Sequence, residues 1–269
     1  MILASTSAWT LLLTALTACG YAFAAVAASH WGEKRAHQSL IVTGLLHLAT
    51  LCLGLWGDEP RFGFAPALSV TAWLVLATYV VESQFFPQLR ARWALASLGA
   101  VAVIAAWIYP GQPLHADASP WLPLHWALGI ASYGMFAAAV VHAGMMSHAE
   151  SQIRLAHEGG SGLPLMTLER LTFRFVGIGF ILLSATLLAG LFFSETLYGS
   201  SGSAWKWDHK TVFSLLSWCT FALLLIGRAR LGWRGKRAVR MLYIGSGLLL
   251  LAYVGSRFVL EVLLGRTSV

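Results

Sequence analysis

The richest chemistry in this 269-residue chain lies in one short run, Trp205-Lys206-Trp207-Asp208-His209-Lys210. Two indoles two positions apart make a flat aromatic surface that can hold a planar apolar ligand. An acid, an imidazole and an ammonium stand beside it as polar anchors. The same pair also fits the belt of tryptophans found at membrane–water boundaries, and Trp31, Trp56, Trp107, Trp121 and Trp126 likewise stand near segment ends. Asp208 suits a helix N-cap: its carboxylate can accept first-turn amide protons at the positive end of the helix dipole. His209 and Lys210 would then enter the first turn of the helix that follows.

The elements that must position these residues are apolar. Hydrophobic residues make up 58% of the chain and charged ones only 11%, too few to coat a soluble surface. Apolar runs lie near 7–29, 38–56, 66–86, 92–110, 121–147, 172–195, 209–227 and 237–264. Each is close to the roughly 20 residues that cross a bilayer. They lack the alternation of barrel strands, so helices are expected. Gly57-Asp58-Glu59-Pro60, the stretch 110–120 and the stretch 159–164 are breakers between them. The expected fold is an all-α, polytopic membrane helix bundle of about eight transmembrane helices, forming one integral membrane domain over 1–269. Ala25-Val26-Ala27 looks like a signal cleavage site. However, no Lys or Arg precedes Lys34, and the apolar stretch from 8 to 28 exceeds a typical signal core of roughly 7–15 residues. The first run is therefore expected to remain as a helix.

Basic residues orient the bundle. One set of loops holds 13 of the 18 Lys and Arg residues, from Lys34 and Arg35 to Arg237 and Arg240; the opposite side holds Arg61, Lys206, Lys210, Arg257 and Arg266. That bias places the first set in the cytoplasm and both termini on the outer, periplasmic side. The formal charge of +7 is thereby explained by membrane orientation, and no nucleic-acid partner is expected. Cys19, Cys52 and Cys219 all lie in apolar runs, and no CxxC or CxxCH occurs. A dithiol oxidoreductase and a c-type cytochrome are both excluded on that pattern. No phosphate-binding loop, HExxH or GxSxG signature is present.

Location sorts the nine histidines, since neutral imidazole is a common metal ligand. His125 and His209 open the fifth and seventh runs on the same outer side, so they could approach one metal ion from opposite faces. Each also fits a simple polar helix end. His47 lies near the centre of the second run. An ionisable group there marks either a functional position or a neutral histidine bonded to a neighbouring hydroxyl or carbonyl. His142 reads as structural, His115 as a weaker outer candidate, and His30, His37, His148 and His157 as solvated. Arg257 and Glu261, spaced i,i+4, can neutralise each other.

The run Trp205 to Trp218, WKWDHKTVFSLLSW, resembles the tryptophan-rich motif of the cytochrome c assembly proteins, the haem-handling superfamily of the CcsA and CcmC type. Within it the chain is most similar to the small eight-span YpjD/HemX-like branch. Pro123-Leu124-His125, Ser132-Tyr133-Gly134, the stretch Gly232 to Arg237 and the stretch Tyr253 to Val259 add to the likeness. The resemblance implies a b-type haem, held or passed on at the outer face of the bacterial inner membrane. Trp205, Trp207 and Asp208 match the haem-facing motif, His125 the first external histidine, and His47 a transmembrane histidine. Two departures stand out: His209 replaces the motif's proline, and no histidine follows it. The implied role is that of a binding and assembly factor rather than an enzyme, with the lipid bilayer and other membrane or cytochrome assembly proteins as partners. A regulatory or scaffold protein of the HemX-like kind without stable haem ligation is the alternative. A small-solute transporter using His47 and the Arg257–Glu261 pair is a third reading.

Overall fold

Each apolar run becomes a helix because hydrocarbon offers the backbone no partner outside its own helical ladder. The computed structural model describes residues 8–30, 33–56, 61–86, 92–113, 122–154, 164–192 and 209–255. In chain order the helices are α1 (Ala8–His30), α2 (Glu33–Trp56), α3 (Phe64–Phe85), α4 (Arg92–Ile108), α5 (Leu122–Arg154), α6 (Leu165–Phe192), α7 (His209–Leu231) and α8 (Gly235–Leu250). The last continues into a π-helical turn, Leu251–Gly255. Among the described residues, seven of these eight are long and apolar enough to cross a membrane. The other, α4, has 17 residues, about 26 Å at roughly 1.5 Å per residue, the lower edge of a span. The all-α polytopic architecture is as expected.

The start of α6 and the end of α5 differ most from the hydropathy runs. Helix α6 begins at Leu165 rather than near 172, with the amides of Thr167 and Leu168 donating to the Pro164 carbonyl. Its first three turns carry Glu169, Arg170 and Arg174, which lower the local hydropathy without breaking the helix. Helix α5 runs on to Arg154 for 33 residues, past the bilayer thickness.

The chain divides into two compact units, residues 1–114 and 115–269. Unit 1 is built from α1 to α4. A two-residue antiparallel clip, β1 (Arg61–Phe62) with β2 (Gln112–Pro113), ties the chain before α3 to the chain after α4. Gly111, at φ +82°, makes the turn into it. Lipid tails are as apolar as leucine, so helices in a membrane pack through small residues and hydrogen bonds. Trp73 Nε1 donates to the Gly44 carbonyl at 2.9 Å, joining α3 to α2. The hydroxyls of Thr17 and Thr50 meet at 3.1 Å, joining α1 to α2. On α4, Gly99 admits the Tyr21 ring: a Cβ there would lie 2.6 Å from that fully buried phenol. We expect Gly99→Ala to destabilise unit 1 by about 1–3 kcal/mol, as overpacking of fixed rings does. Thermal unfolding in detergent would register it, and an unchanged melting temperature would contradict the packing.

Unit 2 holds α5 to α8 around two stacked rings. Phe136 of α5 and Phe221 of α7 lie 3.8 Å apart, 5° from parallel. Gly179 of α6 backs the first ring and Gly245 of α8 the second, where added Cβ atoms would come within 3.1 and 2.9 Å. Adjacent residues of α7 then reach opposite neighbours. Ser217 Oγ donates to the Gly245 carbonyl of α8, and Trp218 Nε1 donates to Ser184 Oγ of α6, both at 2.8 Å. Outward, the helices present large apolar side chains such as Ile181 and Phe192, as a lipid-facing surface requires.

Candidate functional site

Helix α5 begins at Leu122, so His125 sits in its first turn, where the carbonyl one turn upstream lies outside the helix. Its imidazole is half-buried and packs towards α6, with Cε1 3.5 Å from where a Cβ on Gly190 would stand. The glycine makes room for the ring. His125 Nδ1 is buried and has no hydrogen-bond partner among the described residues. An unsatisfied buried polar atom of this kind costs about 1–3 kcal/mol, and it calls for a chemical explanation.

The neighbourhood of that ring is cationic and aromatic. Lys210, in the first turn of α7, is close enough for its charge to act on His125. Its ammonium stands 5.6 Å from the centre of the Tyr253 ring in the π-helical turn, within cation–π range. Further along α5, the Tyr133 hydroxyl donates to the Leu249 carbonyl at 2.5 Å. That bond falls where α8 passes into the π-helical turn, and a side-chain donor at such a point can take a carbonyl from the regular ladder. Three elements of unit 2 therefore converge near His125: the starts of α5 and α7, and the end of α8.

Of the residues singled out from the sequence, the structure brings together His125 and the start of α7. His209 is the first residue of α7, and its side chain is exposed. Trp205, Trp207 and Asp208 lie outside the described residues, as do His115, Arg257 and Glu261. Lys210 and Tyr253 were legible only as members of motifs; their meeting depends on how α7 and α8 pack.

His47, in unit 1, has a different environment. It is fully buried. Its Nδ1 lies 2.9 Å from the Tyr21 hydroxyl and its Nε2 lies 2.8 Å from Ser69 Oγ. A neutral imidazole offers one donor and one acceptor, and two hydroxyls can match either tautomer. Both ring nitrogens are thus engaged by protein, and the three side chains join α1, α2 and α3. His142 also bonds within the fold, through Nδ1 to the Ala138 carbonyl at 2.8 Å. Among the described residues no three His, Cys, Asp or Glu side chains converge as a metal cage.

Comparison with known proteins matches the chain to a family. The model of a family described as cytochrome C assembly protein matches residues 13–264. The inner membrane protein YpjD of Escherichia coli (strain K12) is 33% identical over 152 residues, which cover 55% of this chain and 56% of YpjD. A 28.8 kDa protein of Azospirillum brasilense is 31% identical over 212 residues, covering 74% of this chain and 76% of that one. The cytochrome c biogenesis protein CcsA of Synechococcus sp. (strain JA-3-3Ab) is 33% identical over 130 residues, covering 45% of this chain and 36% of CcsA. The chain thus spans about half the length of YpjD and about a third of that CcsA. No solved structure matches. With seven long apolar helices and such relatives, this is a multi-pass protein of the bacterial inner membrane. It belongs to the cytochrome c assembly protein family.

Proposed function

We propose that this chain binds haem at the end of unit 2 where α5 and α7 begin, and that it serves cytochrome c assembly as a haem-binding or delivery factor rather than as an enzyme. The observation that carries this reading is the buried Nδ1 of His125, unpartnered among the described residues. An imidazole with no protein bond to give up is suited to ligate iron through one nitrogen while the other turns to a new partner. Lys210, whose charge reaches His125, is placed to meet a propionate carboxylate. Trp205 and Trp207 would supply the flat apolar surface, and Asp208 would fix the start of α7. The exposed imidazole of His209 is the second candidate ligand. The excess of Lys and Arg in the other loops supports an outer-face location for this site. A bound haem supplies the redox-active iron; the chain's own residues hold it, orient it and shield it.

Titrating haem into the purified chain in lipid nanodiscs tests this. One Soret-shifting haem per chain is expected. Trp205→Ala together with Trp207→Ala should remove about 1–3 kcal/mol of ring contact, a roughly five- to 150-fold weaker affinity. Equal affinity in the double variant would remove the aromatic platform from the account. No binding at all would leave the regulatory or scaffold role.

A further inference from the structure

We propose that the end of unit 2 remote from the His125 site, where α6 and α8 begin and α7 ends, binds anionic phospholipid headgroups. Charge first sets this end apart. It carries Arg170 and Arg174 on α6, Arg228 and Arg230 on α7, and Arg234 in the turn that follows. Lys236, Arg237 and Arg240 open α8. Arg154 and Glu150 close α5 at the same end, so among the described residues nine cations there face two acids, Glu150 and Glu169. That surplus equals the formal charge of the whole chain, +7, so the remaining basic and acidic residues cancel. Orientation in a membrane calls for positive loops on one side; it does not call for the entire surplus at one end of one unit.

The cations are held on a built frame. Glu169 takes Arg228 at 2.5 Å and lies 3.7 Å from Arg234. The Arg228 guanidinium also lies over the Phe173 ring, 3.6 Å from its centre. The turn between α7 and α8 is made by Gly232 and Gly235, at φ +63° and +57°. It folds Trp233 onto Gly227, where a Cβ would lie 2.5 Å from the indole, and the Trp233 amide donates to the Gly227 carbonyl at 3.1 Å. Arg237 then sits 5.8 Å from the indole centre. Glu169 satisfies the half-buried Arg228, while the cations around it, Arg170 to Arg240, remain exposed.

A repeated pairing selects lipid over a soluble acidic partner. On each of the three helices an exposed arginine is followed, one turn deeper along the helix, by an exposed isoleucine. The pairs are Arg174 with Ile178 on α6, Arg230 with Ile226 on α7 and Arg240 with Ile244 on α8. Residues spaced i,i+4 share a face, so each helix presents a cation above an apolar rung. That arrangement matches an amphiphile whose phosphate lies at the arginine level and whose acyl chains run down the isoleucines. Basic clusters at helix ends on this side of a membrane recognise such headgroups through the same charge.

Native mass spectrometry of the full chain, titrated separately with phosphatidylglycerol, phosphatidylcholine and inorganic phosphate, tests the proposal. Phosphatidylglycerol should bind at least about tenfold more tightly than phosphatidylcholine, and millimolar inorganic phosphate should not displace it. Arg174→Gln, Arg230→Gln and Arg240→Gln together should weaken phosphatidylglycerol binding about a hundredfold, at about fivefold per cation. The three corresponding Lys variants should keep the binding, and Lys34→Gln with Arg35→Gln should not alter it. Equal affinity for the two lipids by the unmodified chain would overturn the site whatever the variants do. Displacement by inorganic phosphate, or capture of an acidic protein with no lipid preference, would overturn it as well.

Discussion

His125→Ala is expected to weaken haem binding by about a hundredfold or more, exceeding the ten- to hundredfold typical of groups that only support a ligand. It should leave the fold as stable as before. The two outcomes separate because of where His125 stands. Its buried Nδ1 makes no bond among the described residues that the variant could lose, so thermal unfolding should shift little or even rise once an unsatisfied atom is removed. The ring does fill space beside Gly190, and His125→Gly enlarges that space enough to admit free imidazole. Added imidazole should then restore the absorption band of the ligated iron. A lower melting temperature with an unchanged spectrum would mean that His125 is a packing residue.

His47→Ala is expected to do the reverse. Removing this ring leaves the Tyr21 and Ser69 hydroxyls, both buried, without the partners they now have at 2.9 and 2.8 Å. Each stranded group costs about 1–3 kcal/mol, and the cavity left by the ring adds to that. Unit 1 should therefore unfold at a clearly lower temperature, while haem bound per folded chain stays the same. Tyr21→Phe should give a smaller loss, in line with the about 0.6 kcal/mol average for one hydrogen bond between membrane helices. Haem lost from His47→Ala at an unchanged melting temperature would instead identify His47 as a ligand.

The contrast between these two histidines marks the limit of what the sequence reveals. Eight runs of roughly the bilayer's thickness were legible, because hydropathy measures the very quantity that decides a span. His47 in the middle of a run was legible as a costly position. Its partners were not: Tyr21 and Ser69 lie 26 and 22 residues away, and only the packing of α1, α2 and α3 selects them. The same holds for Lys210, which reads as one more first-turn cation until α7 is set beside α5. The early start of α6 was hidden by Glu169, Arg170 and Arg174, charges that look like loop composition and prove to be the first turns of a long helix. Nor does hydropathy register that the eight described helices form two units, since that division rests on which faces meet.

The central claim is that this chain holds haem with His125 as an iron ligand, and one measurement meets it directly. The full chain, purified in detergent from cells supplied with haem, is examined by absorption spectroscopy in its oxidised and reduced states. A Soret band and a sharpened reduced spectrum are expected, both lost in His125→Ala. A chain that stays folded and colourless after haem supplementation, or a spectrum indifferent to His125, would contradict the account.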